Sequence, residues 1–300
     1  MDNENGNGSG APQRDRLGEF ADLGENIPES VKKLIAAGGP TIGFADCDSC
    51  GASAEARRAV GCMGGGWLDV TGEDGKPHSR RCPEMVKVER RERVERLMES
   101  SGVGRLGQRQ TFETFDPGLC SDPDTREAYR ILEELPGKVR AARSSGEPPP
   151  KGLLIVGSAG SGKSHLLRAT AVRAIADGLS ATFVETYRLL ARIKESYDAG
   201  KRFSAPGEAA PKTASEIVEA AASADIMCLD DLGAERESDH AGQTLFELLD
   251  TLDAGENALV ASTNLGLDEI AQRYGERCAS RVTGLCEYLE VAAEKDHRIG

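Results

Sequence analysis

The sequence predicts an α/β fold: a parallel sheet covered by helices on both faces, preceded by a small cysteine-bearing module. Three observations carry this. Lys151 to His165 reads as an apolar run, a glycine-rich loop and a Lys-Ser pair that opens a helix. From there on, apolar runs of strand length alternate with stretches of helical periodicity. Upstream of residue 109, cysteines, glycines and dense charge replace that alternation.

The 300 residues suffice for one or two domains with a sizeable core, which must be aliphatic because aromatics make up only 4%. The formal charge of -13 argues against a protein that coats nucleic acid by charge alone. The excess is uneven. Residues 221–270 carry -11 and residues 1–110 only -2, so the rest of the α/β region is near neutral and leaves room for a local basic path. No apolar run reaches membrane-spanning length and no signal-peptide core opens the chain, so no membrane partner and a cytoplasmic location are expected. Eight cysteines in that compartment read as thiols or metal ligands.

Residues 1–24 have almost nothing to bury and read as a disordered tail. Residues 25–108 read as a partner-binding module with a linker helix. A short helix over Pro28–Ala37 carries Val31, Leu34 and Ile35 at helical spacing. Cys47-x2-Cys50 places two thiolates on one side of a tetrahedral ion, and Cys62 with Cys82 completes a four-cysteine zinc set if a hairpin through Gly64–Val70 and Gly72–Lys76 brings them together. His78 is the substitute ligand, and ordinary buried thiols are the competing reading. Cys120, Cys228, Cys278 and Cys286 have no ligand spacing and read as small buried residues. Pro83 to Ser101 is a charged helix with Glu89/Arg93 and Glu92/Arg96 at i, i+4; it reads as a solvated connector, with Gly102 to Gln110 as the hinge.

Residues 109–300 form the α/β domain. Helices are expected at Asp122–Ala142, His165–Ala176, Tyr187–Tyr197, Ala214–Ala222, Ala241–Leu252 and Leu267–Val282. Strands are expected at Leu153–Val156, Ala181–Glu185, Asp225–Asp230, Ala258–Ser262 and Cys286–Val291. The loop Gly157, Ser158, Ala159, Gly160, Ser161, Gly162, Lys163, Ser164 fits the phosphate-loop spacing G-x4-G-K-S, followed by His165. Its glycines let backbone N–H groups turn inward around a polyphosphate, Lys163 reaches the outer phosphates, and Ser164 can ligate Mg²⁺. A metal strand must accompany it. Ile226 to Asp231 supplies one, with Asp230 to hold Mg²⁺ and Asp231 to polarise the attacking water. Asn264, just past the strand ending at Ser262, can orient that water and sense the γ-phosphate. Arg273, Arg277 and Arg281 follow; Arg277 and Arg281 share a helical face, and the alternatives are completion of a neighbour's site or plain surface cations. Arg188, Arg192 and Lys194, with Lys201 and Arg202, sum to a local positive face that is the candidate for DNA contact, against a solvated helix face.

Taken together, Ser101-Gly102-Val103 with Thr111–Phe115, GSAGSGKSHLL, LDDLGAE, STNL, RYGERCASR and the tail Asp296-His297-Arg298 resemble the DnaC/IstB/DnaI group of AAA+ ATPases, over about residues 95–300. The resemblance implies a P-loop AAA+ core with ATP, Mg²⁺ and hydrolysis. It implies Lys163 and Ser164 as Walker A, Asp230 and Asp231 as Walker B, Asn264 as sensor 1, and Arg281 as an arginine finger acting on an adjacent subunit. It places Phe112–Phe115 near the adenine and the helix at Tyr187–Tyr197 near the DNA path. Asp231 stands where most AAA+ proteins have Glu, so slow hydrolysis is expected, and only nineteen residues follow Arg281, which leaves no room for a lid domain. The function it implies is loading of a DnaB-type replicative helicase on single-stranded DNA, with self-association through the ATP site and a zinc-bearing N-terminal module as in the DnaI type. The alternatives are an IstB-like helper of a transposase, whose N-terminal region is usually helical rather than cysteine-rich, and an ATP-gated adaptor with incidental hydrolysis.

Overall fold

The computed structural model describes residues 62–64, 66–71, 75–115, 122–199, 212–235 and 238–291. The expected tail, the helix at Pro28–Ala37, Cys47, Cys50, Cys120, Lys201 and Arg202 lie outside them. The first described strands, β1 (Cys62–Gly64), β2 (Trp67–Thr71) and β3 (Pro77–Arg81), form an antiparallel meander. Cys62 pairs with Leu68, whose other neighbour is Arg80, and the Cys82 N–H donates to the Gly66 carbonyl. β2 therefore stands between the strands that lead to Cys62 and Cys82. Two strand spacings amount to about 10 Å, so the turn does not bring Cys82 back to Cys62 as the spacing suggested.

Pro83 opens α1 (Pro83–Ser100) at a position where its missing N–H costs nothing. The helix is charged on most of its surface, with Arg96–Glu92 and Arg91–Glu95 pairs, while Glu89 pairs back to Arg81 rather than to Arg93. It is not a free connector. Val94 is buried in the main core, Leu97 and Met98 pack against it, and Arg90 reaches the Ala176 carbonyl. The expected hinge is likewise fixed: the Ser101 carbonyl accepts the Phe183 N–H at 2.6 Å, which adds this segment to a sheet edge. Gly102 is required there, since at φ +78 a Cβ would stand 2.3 Å from the Phe183 carbonyl oxygen. A short helix, α2 (Gly104–Gly107), and a 3₁₀ turn (Phe112–Thr114) lead on.

The α/β core follows the expected alternation: α3 (Pro123–Ser145), β4 (Gly152–Gly157), α4 (Lys163–Ala176), β5 (Ala181–Glu185), α5 (Thr186–Ala199), α6 (Ala214–Ala222), β6 (Ile226–Leu232), α7 (Asp239–Ala254), β7 (Ala258–Thr263), α8 (Leu267–Tyr274), α9 (Glu276–Leu285) and β8 (Cys286–Val291). The strands form one parallel sheet in the order β5-β6-β7-β4-β8. Alternation along β4 builds two cores. Leu153 and Ile155 pack with Leu132 and Leu135 of α3 and Leu166 of α4 on one face. Leu154 and Val156 pack with Ile193 of α5, Leu245 and Leu249 of α7 and Val282 of α9 on the other. Each such buried aliphatic contributes about 1.5–3 kcal/mol, which explains how the chain manages with few aromatics.

Some boundaries differ from expectation for local reasons. α3 runs on to Ser145, where Gly146 caps it at φ +73, so the loop is shorter than the polar sequence suggested. The single helix expected over Leu267–Val282 is two, broken by Gly275 at φ +91. Arg273 is thereby separated from Arg277 and Arg281, and it pairs with Glu235 instead. Cys228, Cys278 and Cys286 are buried as expected, and burial pushes the Cys278 thiol up to about 11. Among the described residues no helix is long and apolar enough to cross a membrane.

Candidate nucleotide site

In a parallel sheet every strand delivers its next residue to the same edge, and here β4, β6 and β7 are neighbours. After β4 the chain turns through Gly160 and Gly162, at φ +84 and +85. A Cβ on Gly162 would lie 2.7 Å from the Phe115 ring, so both conformation and space call for glycine. α4 starts at Lys163, and the unpaired N–H groups of its first turn together with the helix dipole favour an anion there.

Lys163 is 5% exposed. Its ammonium donates to the Gly157 and Ser158 carbonyls at 2.7 and 2.8 Å, to Asn264 Oδ1 at 2.9 Å and to Ser161 Oγ at 3.4 Å. Ser164 Oγ donates to Asp230 Oδ1 at 3.0 Å, and Ser262 Oγ donates to the same oxygen at 2.6 Å. Burial pushes the Asp230 carboxyl above its ordinary value; the bond from Ser262 opposes this, the Asp231 charge adds to it, and the bond from Ser164 opposes it. Asp231 is partly exposed beside it. Two hydrogen-bonded pairs, Lys163–Asn264 and Ser164–Asp230, thus form one group where Lys163 and Ser164 adjoin in the chain, with Ser158, Ala159, Gly160 and Ser161 forming the loop beside them. A buried carboxylate beside a hydroxyl, an ammonium and a helix N-terminus fits Mg²⁺ with a polyphosphate.

The other side of the loop is aromatic. His165 Nε2 lies 2.9 Å from the Thr111 carbonyl and 3.4 Å from Thr114 Oγ1. The Phe115 ring packs edge-on to His165 at 5.2 Å and against Tyr129 at 5.9 Å. Burial lowers the His165 pKa, with the bond to Thr111 opposing. A neutral imidazole and a phenyl edge next to the phosphate loop can border a planar base.

Arg281 stands apart from this group. Its guanidinium is paired with Asp250 and Asp253 of α7 at 2.5 and 2.6 Å, and with Arg277 and Phe246 it lines a cavity of ≈ 660 Å³ between α7 and α9. Arg188 and Arg192 line another, of ≈ 510 Å³, with Arg168 and Lys212 beside the β5 edge. Arg188 is also paired to Glu185 at 2.5 Å. Lys194 is exposed but does not line that cavity, so the basic set on α5 is split.

The profile of the family described as IstB-like ATP binding protein matches residues 79–294. This chain belongs to that family. Among similar proteins, "Uncharacterized protein YdaV" of Escherichia coli (strain K12) is 26% identical over 208 residues, 68% of this chain and 74% of the relative. Among solved structures, that of DnaI superposes on 63% of this chain and 94% of its own at a TM-score of 0.50 and 22% identity. That of the DnaC helicase loader covers 63% of this chain and 99% of its own, at a TM-score of 0.48 and 23% identity. The likeness to DnaI shows the fold: a P-loop AAA+ core with a five-stranded parallel sheet.

Sequence reasoning missed Ser262, which bonds both acids of the β6 end. A serine inside an apolar strand carries no pattern of its own; the one available signal was its place on the strand beside the metal strand. Among the described residues no group of three or more His, Cys, Asp or Glu is arranged to hold a metal ion.

Proposed function

We propose that the chain binds and hydrolyses ATP, assembles through its ATP site, and helps place a DnaB-type replicative helicase on single-stranded DNA. The observation that carries the ATP part is the meeting of Lys163, Ser164, Asp230 and Asn264 at the edge formed by β4, β6 and β7. Lys163 and the N-terminus of α4 hold the outer phosphates, and Ser164 and Asp230 hold Mg²⁺, which when bound neutralises charge on the phosphate oxygens. Asp231 accepts a proton from the attacking water as its oxygen bonds to the γ-phosphorus, and Asn264 orients that water. The bond to the β–γ bridging oxygen breaks, and ADP leaves. Phe115 and His165 border the adenine.

Among the described residues Arg281 bonds to Asp250 and Asp253 and to no residue of this group, which supports a role in trans, neutralising transition-state charge in a neighbour's site. Arg188 and Arg192 are the better candidates for phosphate contact with single-stranded DNA, since they share one cavity while Lys194 does not. Residues 1–24 are proposed as a tail, 25–108 as the partner module and 109–300 as the ATPase, with α1 packed on the latter. Zinc in that module rests on Cys47-x2-Cys50. The position of β2 between Cys62 and Cys82 supports a site that does not take both.

The cysteines of the N-terminal module, Cys47, Cys50, Cys62 and Cys82, support the loader reading. The match to the IstB-like family favours a second reading, a helper that delivers a transposase to DNA; an ATP-gated adaptor with incidental turnover is the third. Pull-down of the full chain with ATP discriminates between the first two: recovery of the replicative ring helicase, lost in a chain starting at Arg109, supports the loader. Capture of a transposase in its place supports the helper.

A further inference from the structure

β6 does not end as a regular strand. Its pairing with β7 runs to Leu229–Ala261 and resumes at Leu232–Thr263, so Asp230 and Asp231 occupy an irregular step. Asp231 sits at φ +53, a left-handed conformation that a residue with a Cβ keeps only where its surroundings hold it. Two side-chain hydroxyls hold the step where the ladder to β7 lapses, while β5 stays paired as far as Glu185–Asp230. Thr186 Oγ1 donates to the Asp230 carbonyl at 2.9 Å, and Ser262 Oγ accepts the Asp231 N–H at 3.0 Å. These are the two ends of one peptide group, gripped from the β5 side and from the β7 side. Thr186 and Ser262 are 1% and 0% exposed, so water does not replace either bond when it is lost.

We infer that Thr186 is a positioning residue for the catalytic acids: with Ser262 it fixes the plane of the Asp230–Asp231 peptide and thereby the direction in which the Asp231 carboxylate leaves the chain. The inference rests on the proposed hydrolysis and deepens it. Ser262 also bonds the Asp230 carboxylate, so its removal disturbs the side chain directly. The Thr186 hydroxyl bonds to backbone, and its effect on the acids passes through the peptide alone. Thr186 is also the first residue of α5, with no loop after β5, so the helix that carries Arg188 and Arg192 is tied to the acid pair by this bond.

The test uses the full chain with Thr186→Val, which keeps the shape and loses the hydroxyl, and Thr186→Ser, which keeps the hydroxyl. Amide hydrogen exchange of residues 230–232 in the nucleotide-free protein reads the grip, and steady-state turnover with a fluorescent ATP analogue's affinity reads its consequence. In Thr186→Val the exchange is expected to rise about tenfold and turnover to fall about tenfold, the scale of one buried hydrogen bond, with nucleotide affinity within about twofold; Thr186→Ser stays near the wild type. Unchanged exchange in Thr186→Val overturns the inference, as does a serine variant equally impaired, or a rise spread evenly through α7 and β7. If the wild type turns over no faster than Lys163→Ala while the valine variant alone loosens residues 230–232, the grip stands and the hydrolysis reading falls.

Discussion

Ser164 Oγ at the start of α4 donates to Asp230 Oδ1 at the end of β6, 3.0 Å away across 66 positions of chain. That bond ties the phosphate loop to the strand that carries the acids, around a carboxylate whose burial opposes its charge. Asp230→Asn is therefore expected to melt a few degrees higher than the wild type without nucleotide, because a buried charge is removed and the hydroxyl partners remain. Mg²⁺-dependent turnover of the same variant is expected to fall about 10²-fold or more. Calorimetry and phosphate release check the two effects on one sample.

The depressed His165 pKa makes a pH prediction. As pH falls below about 6.5, the unfolded chain takes up this proton before the folded one does. The stability it contributes is complete above that pH and is lost as pH drops toward the lower folded value. The melting temperature of the wild type should thus fall more between about pH 7.5 and about pH 5.5 than that of His165→Gln. Thermal scans of both proteins at the two pH values test this, and equal slopes would remove His165 from the account.

Arg281 is held by Asp250 and Asp253 on a solvent-facing surface, so Arg281→Ala should change stability by less than about 1 kcal/mol. Its ATP affinity should match the wild type while turnover drops about 10³-fold. Mixing it with Lys163→Ala, each inactive alone, should restore part of the activity, since a mixed assembly contains one interface with an intact loop and an intact arginine. Failure of the mixture to recover any turnover counts against action in trans.

The meander separates Cys62 from Cys82. Metal analysis of the purified chain is expected to find one zinc, lost in Cys47→Ser and in Cys50→Ser. Cys62→Ser and Cys82→Ser should not both lose it. Loss in both would place the two cysteines on one ion and contradict the strand order.

The meeting of the candidate site's residues was legible because its parts are carried by pattern: four apolar residues before a glycine loop, and four before a pair of acids. Such runs specify buried parallel strands, and parallel strands deliver their ends to one edge. What was not legible has no period. Thr186 and Ser262 act through single hydroxyls at a break in the ladder, and nothing in the spacing of a threonine or serine marks the peptide it will bond. α1 read as a solvated helix because charge dominates its composition, whereas its burial depends on Val94, Leu97 and Met98 against α4. The helix break at Gly275 was visible as a glycine, but its consequence, the transfer of Arg273 to Glu235, is a tertiary matter.

The Lys163–Asp230 site is expected to turn over ATP. Phosphate release by the full chain with Mg²⁺, beside Lys163→Ala purified identically, is the test. Slow but measurable turnover, lowered at least about 10²-fold in Lys163→Ala, is the expected result. Hydrolysis by Lys163→Ala at the wild-type rate would contradict it.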